Sequence, residues 1–116
     1  MSTPVTTEVQ RCIEACRRCT DVCTEALMHC LGCCGDEAHV RPLMDCADLC
    51  NTCGNFLGRM SRMTPQVCNL CSEVCEQCAA MCREFPKDET MIRCATLCNE
   101  CTDSCRHIAK FGLKAA

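Results

Sequence analysis

The sequence predicts an all-α protein: an antiparallel up-down four-helix bundle with a cysteine-lined core, one domain over residues 1–116. Three observations lead there. Cysteine supplies 19 of the 116 residues. These cysteines recur at alternating steps of three and four, most fully in Cys68, Cys71, Cys75, Cys78 and Cys82. An α-helix turns once in 3.6 residues, so such steps bring five sulfurs within an arc of about 80°, where a strand would scatter them over both faces. The pattern also returns four times between turn signals. Short connections make sequential helices antiparallel neighbours.

The first helix is expected to start with Ser2 or Thr3 as N-cap and Pro4 at its first position, where a missing N–H costs nothing. Its stripe holds Cys12, Cys16, Cys19, Cys23, Cys30 and then Cys33 or Cys34, with Ala26 and Leu27 filling the one gap. Glu14–Arg18 and Arg17–Asp21 are i,i+4 pairs on the outer side. Gly35 ends the helix as a C′ glycine would. Asp36 can cap the second helix, whose stripe is His39, Leu43, Cys46, Cys50, Cys53, Leu57 and Met60. Pro42 interrupts helical hydrogen bonding, so residues 37–41 read as a separate turn or a kink. Gly54 and Gly58 would let a neighbouring helix approach closely, and the run ends at Arg62-Met63. Thr64-Pro65 opens the third helix, which stops near Phe85-Pro86. Asp88 caps the fourth, with Cys94, Cys98, Cys101 and Cys105, then Ile108, Phe111 and Gly112; residues 113–116 are expected to fray.

Antiparallel packing makes the two ends of such a bundle different. One end collects Val5, Val9, Leu57, Met60, Val67, Ile108 and Phe111, a hydrophobic plug. The other collects Cys30, Cys33, Cys34, His39, Cys82, Met91 and Cys94, an end rich in soft donors. The expected object is a tube of thiols, shut at one end and open at the other.

Composition excludes several function classes. Net charge is −3, with no Trp, no Tyr and three Phe, so neither a basic nucleic-acid surface nor a base-stacking platform is present. No apolar stretch approaches a transmembrane length. Residues 1–8 hold neither a basic region nor an apolar run, so a cytoplasmic home is expected. Disulfide stapling fits poorly: the count is odd, and side chains three or four apart on a helix run alongside rather than toward each other. A single buried cysteine is usually a small hydrophobe. Four helices in a row of them would surrender buried CH₂ groups at about 0.8 kcal/mol each, which a sequence serving stability alone would not do.

Thiolate is a soft ligand that suits Cu(I), zinc and iron–sulfur clusters. Structural zinc is usually held by Cys-x₂-Cys knuckles at turns, whereas these pairs lie mid-helix in lines. The C-x₂-C-x₂-C-x₃-C-P cluster run is absent. Cu(I) accepts two or three thiolates, and one ion can lie between Cys i and Cys i+4 or bridge two helices. If each ion takes two sulfurs and each sulfur bridges two ions, the capacity reaches about one Cu(I) per cysteine. Each Cu⁺ then replaces one thiol proton. Buried thiols stay neutral without metal, so the metal-free chain is expected to be folded.

The ladders Cys12–Cys16, Cys19–Cys23, Cys46–Cys50, Cys71–Cys75, Cys78–Cys82, Cys94–Cys98 and Cys101–Cys105 resemble those of the bacterial copper storage proteins, more closely the cytosolic branch, over nearly the whole chain. The resemblance implies Cu(I) storage in the core, a homotetramer of bundles, and histidine or methionine near the mouth. Here those are His39, seven before Cys46, and Met91, three before Cys94. Outward Leu49, Phe56, Leu70, Val74 and Met81 leave room for an interface. His29 and His107 are expected at the surface. A thiol enzyme is disfavoured, because nineteen cysteines on repeated stripes do not single out one activated cysteine paired with a histidine base. A thiol redox buffer and a metallothionein-like zinc or cadmium sink are the alternatives to a copper store.

Overall fold

Four helices follow one another with short turns between them: α1 (Thr7–Cys33), α2 (Glu37–Gly58), α3 (Thr64–Cys82) and α4 (Glu89–Phe111). The computed structural model describes residues 6–33 and 35–112. Expectations on Ser2, Thr3, Pro4, Val5, Cys34 and residues 113–116 lie outside them. Each helix packs against its two neighbours in sequence order, α4 closes back on α1, and the diagonal pairs stay apart. The rod measures 50 × 19 × 18 Å. Separated diagonals leave an axial space, and the cysteine stripes fill it. No helix of the described residues is long and apolar enough to cross a membrane.

Helix ends follow cap chemistry with several corrections. The Thr6 hydroxyl accepts the Val9 N–H at 3.2 Å and so caps the described start of α1. Gly35 follows the end of α1, but not through a left-handed backbone. Its N–H reaches back to the Cys30 carbonyl at 2.6 Å, and a Cβ there would lie 2.7 Å from that oxygen. Close approach, not positive φ, requires glycine at this turn. Asp36 occupies the N-cap of α2 with no side-chain cap bond. Pro42 sits inside one continuous α2 rather than marking a separate turn. It falls in the second turn, where only the bond to the Ala38 carbonyl is lost.

Helix α2 ends at Gly58, short of the expected Arg62-Met63, because Met60 turns left-handed at φ 54°. An alanine at Gly54 would meet Cys16 Cβ at an ordinary 3.7 Å and one at Gly58 would meet nothing, so neither glycine is needed for helix approach. Thr64 lies within the first turn of α3. Its hydroxyl donates to the Ser61 carbonyl at 2.6 Å instead of accepting as a cap. Helix α3 stops at Cys82, three residues before the expected Phe85. Of the two predicted ion pairs on α1, Glu14–Arg18 forms at 3.6 Å and Arg17–Asp21 does not. Arg93–Glu25 and Arg106–Glu76 link neighbouring helices on the outside.

Asp88 caps α4 as expected, accepting from the N–H groups of Thr90 at 3.0 Å and Met91 at 3.3 Å. The same carboxylate binds His29 Nε2 at 2.6 Å and so ties the end of α1 to the start of α4. The His29 bond, with help from the cap N–H groups, holds the Asp88 carboxyl below the usual carboxylate range. A depressed folded pKa contributes stability above the unfolded value, and that contribution is lost only as pH falls through the folded one. Asp88→Ala is therefore expected to lower the melting temperature at pH 7 by about 4–8 °C, with the difference from wild type shrinking as the pH falls below the usual carboxylate range. Thermal melts at pH 7 and pH 3 check this.

Candidate metal centre

The alternating three- and four-residue steps place the stripe of every helix inward, and seventeen cysteines are buried at 0–1% exposure. Helix α1 contributes Cys12, Cys16, Cys19, Cys23 and Cys30. Helix α2 contributes Cys46, Cys50 and Cys53. Helix α3 contributes Cys68, Cys71, Cys75, Cys78 and Cys82, and α4 contributes Cys94, Cys98, Cys101 and Cys105. No disulfide joins any two of these seventeen.

The sulfurs form one continuous column. At the closed end Cys12 lies 3.7 Å from Cys105, and Cys53 lies 3.5 Å from Cys68. The next level joins Cys16 to Cys101 at 3.8 Å and Cys50 to Cys71 at 3.7 Å. Above it Cys19 meets Cys98 at 3.6 Å and Cys46 at 3.8 Å, and Cys50 meets Cys75 at 3.4 Å. Cys23 meets Cys94 at 3.8 Å and Cys98 at 3.7 Å. Five sets of three or four sulfurs lie mutually within 4.8 Å: Cys16/Cys71/Cys101/Cys105, Cys19/Cys50/Cys75/Cys101, Cys19/Cys23/Cys46/Cys98, Cys23/Cys78/Cys94/Cys98 and Cys12/Cys68/Cys105. A metal–sulfur bond of about 2.3 Å spans sulfurs roughly 3.8–4.0 Å apart around a tetrahedral or trigonal ion. The S–H···S spacing of the protonated column already has that size, so soft ions fit with little backbone movement.

Among the described residues no cation lines the column. The buried polar residues are Thr64, Ser72 and Thr102. Their hydroxyls donate to the backbone carbonyls of Ser61, Asn69 and Cys98 respectively. With no positive partner, burial favours neutral thiols. Hydrogen bonds from neighbours redistribute that preference. Cys101 is drawn down, first by the Cys105 thiol, and Cys105 is pushed up by the same bond and by burial. Cys82 is raised by Cys78 and Cys94 and by burial.

The plug forms from fewer residues than expected. Val9, Leu57 and Ile108 are buried and Met60 and Val67 half-buried, but Phe111 is 49% exposed. At the other end Cys30, Cys82, Met91 and Cys94 are buried, and the Cys30 thiol donates to Met91 Sδ at 3.8 Å. Cys33 is exposed, past the point where α1 is covered. His39 is half-buried, edge-on to Phe85 with centroids 4.8 Å apart. Its Nδ1 lies 3.1 Å from an Asp36 carboxylate oxygen, yet at an angle that makes no hydrogen bond, and the atom is buried.

Two further residues differ from the sequence reading here, His29 and Met81. His29 is half-buried in its bond to Asp88, and its Nε2 also lies 3.7 Å from Cys33 Sγ. Its four-residue spacing from Cys33 was the available signal. Met81 is buried at 6% rather than outward, whereas Leu70 is outward at 51%. Leu43, fully buried, stands where the α2 ladder would have its next thiol.

The model of the copper storage protein family matches residues 5–110. No curated protein sequence matches the chain. Several solved structures do. A protein from Nitrosospira multiformis superposes with a TM-score of 0.82 at 36% identity, covering 89% of this chain and 95% of that one. The Cu(I)-bound copper storage protein 3 of Bacillus subtilis gives 0.80 at 28% identity, over 89% and 99%. The Streptomyces lividans copper storage protein loaded with 10 copper equivalents gives 0.79 at 29%, over 89% and 84%. A thiol column along a four-helix rod, joined to a family match over nearly the full length, shows that this chain belongs to the copper storage protein family.

Proposed function

We propose that this protein binds and stores many Cu(I) ions through its core thiolates and so buffers copper in the cytosol. The observation behind it is the network of fourteen buried cysteine sulfurs linked to one another at 3.4–4.0 Å. The ligands in this reading are the nineteen cysteines, Cys33 and Cys34 included, with His39 and Met91 at the mouth. Each Cu⁺ displaces one S–H proton, so the core stays neutral as it fills. A zinc or cadmium tetrathiolate would instead leave two negative charges in a core without a cation, a costly burial. Relatives of this fold carry the same cargo: structures from Streptomyces lividans are described as a cytosolic copper storage protein with five coppers and as loaded with 10 equivalents.

The role is storage rather than catalysis. Among the described residues the histidine nitrogen found near a thiol is His29 Nε2, which is already engaged by Asp88 and serves as a latch. Assembly into a homotetramer fits the α2–α3 face, where Leu49, Phe56, Leu70 and Val74 stand partly or fully outward.

Anaerobic titration of the reduced protein with Cu(I) tests this reading. Saturation is expected at more than ten equivalents and up to about one per thiol, with about one proton released per ion in weak buffer. Light scattering on the same sample is expected to give four times the chain mass of 12.8 kDa. Saturation at one or two equivalents would sink the storage reading.

A further inference from the structure

Soft donors stand at every turn on only two of the four walls leading from the mouth to the column. On α3, Cys78 and Cys82 are four residues apart. On α4, Met91, Cys94 and Cys98 follow at three and four. On α1, seven residues separate Cys23 from Cys30, and on α2 seven separate His39 from Cys46. Seven residues span about 10.5 Å of helix axis, too far for one ion to touch donors at both ends. Ala26 and Leu43 fill these two gaps, both fully buried, and neither offers Cu(I) a ligand.

The sulfur contacts complete the route. Cys30 on α1 touches Met91 on α4 at 3.8 Å, so the α1 donor at the mouth hands over to the α4 wall. One turn further in, Cys94 lies 3.8 Å from Cys23 and 3.9 Å from Cys98. Cys82 faces Cys78 and Cys94 from α3. Resting on the storage reading, we propose that Cu(I) passes between mouth and column along the α3–α4 wall, through Met91, Cys94 and Cys82, and that Leu43 seals the α2 wall at that level and so limits the rate. Each step is a ligand exchange with no change of oxidation state. The Cu–S bond to the incoming sulfur forms before the old one breaks. The proton of an incoming thiol passes to the departing thiolate, so charge at each level is conserved. Met91, a thioether, lends a lone pair and moves no proton; an ion there is shared with the Cys30 thiolate 3.8 Å away, which takes up the Cys94 proton as the ion moves inward.

Stopped-flow absorbance of reduced protein mixed anaerobically with Cu(I) in acetonitrile reads both rate and capacity. Cys82→Ala/Cys94→Ala is expected to lose about two ions of capacity while the loading rate of the remaining sites falls at least about tenfold, equivalent to about 1.4 kcal/mol on the barrier. Cys12→Ala/Cys68→Ala, which removes two thiols at the closed end, is expected to show the capacity loss without that rate loss. Adding Leu43→Cys to the slow variant supplies a donor on the α2 wall and is expected to restore most of the rate. Equal rates for the two double variants would overturn the route. Should Cys82→Ala/Cys94→Ala fail to give a helical circular dichroism spectrum, Leu43→Cys alone decides. Loading faster than wild type supports the proposal, and an unchanged rate overturns it. If the unaltered protein takes up only one or two ions, the storage reading falls and the route with it; wild-type capacity with unslowed variants defeats the route alone.

Discussion

Replacing Cys94, Cys98, Cys101 and Cys105 together with alanine is expected to remove well over half of the Cu(I) capacity, although it deletes only four of nineteen cysteines. Every one of the five sulfur sets contains at least one α4 thiol. Their loss cuts three of the five sets to two sulfurs, so ions held by three thiolates or shared across to α4 lose those sites together. The comparison that gives the number meaning is Cys46→Ala/Cys50→Ala/Cys53→Ala on α2. That change leaves three sets intact, Cys16/Cys71/Cys101/Cys105, Cys23/Cys78/Cys94/Cys98 and Cys12/Cys68/Cys105, and is expected to cost little more than the thiols removed. Each exchange also empties the volume of one buried sulfur. At about 1 kcal/mol each, the α4 variant loses roughly 4 kcal/mol, so its helicity must be verified before titration. Loss of only four equivalents would mean that the sulfurs act as independent sites rather than as a shared column.

Filling the core is expected to raise the apparent melting temperature by at least about 15 °C over the reduced, metal-free protein, with a thiol-competing Cu(I) chelator returning it to the starting value. The metal-free chain is itself expected to be helical, because the thiols pack as neutral groups along the axis. A ligand that prefers the native state stabilises it by about 2.7 kcal/mol per site at a hundredfold excess over its dissociation constant. Unfolded cysteines also bind Cu(I), which cancels much of that term. The remainder comes from bridging: one ion tied to sulfurs of two or three helices holds them as no ion on a flexible chain can. An unchanged melting temperature would place the copper on surface thiols such as Cys33 instead. Differential scanning calorimetry of the two forms at matched pH gives the answer.

Much of this architecture could be read directly from the residues. The 3.6-residue period orients a stripe without reference to any neighbour, so the inward face of every helix followed from spacing alone, although Cys33 ends exposed. The Asp88 cap and the proline start of α3 at Pro65 followed from local residue preference. The distinction between a plug and a soft-donor end followed from antiparallel order. The misreadings cluster where two helices meet at their ends. His29 was assigned to the surface from its angle on α1, because the turn that brings Asp88 against it belongs to α4. Phe111 shares the stripe that reads as the plug, yet it stands 49% exposed.

Local periodicity determined which side chains face the axis, and with it the all-sulfur lining and the chemistry it implies. Tertiary structure decided how the helices are staggered along that axis: which sulfurs share a level, that Leu43 and Ala26 interrupt two walls while Cys82, Met91 and Cys94 keep the others continuous, and that one carboxylate both caps α4 and holds α1. The physical reason is that direction around a helix is set by its own backbone, while axial register depends on the packing of partners distant in the chain, to which no short stretch of sequence refers.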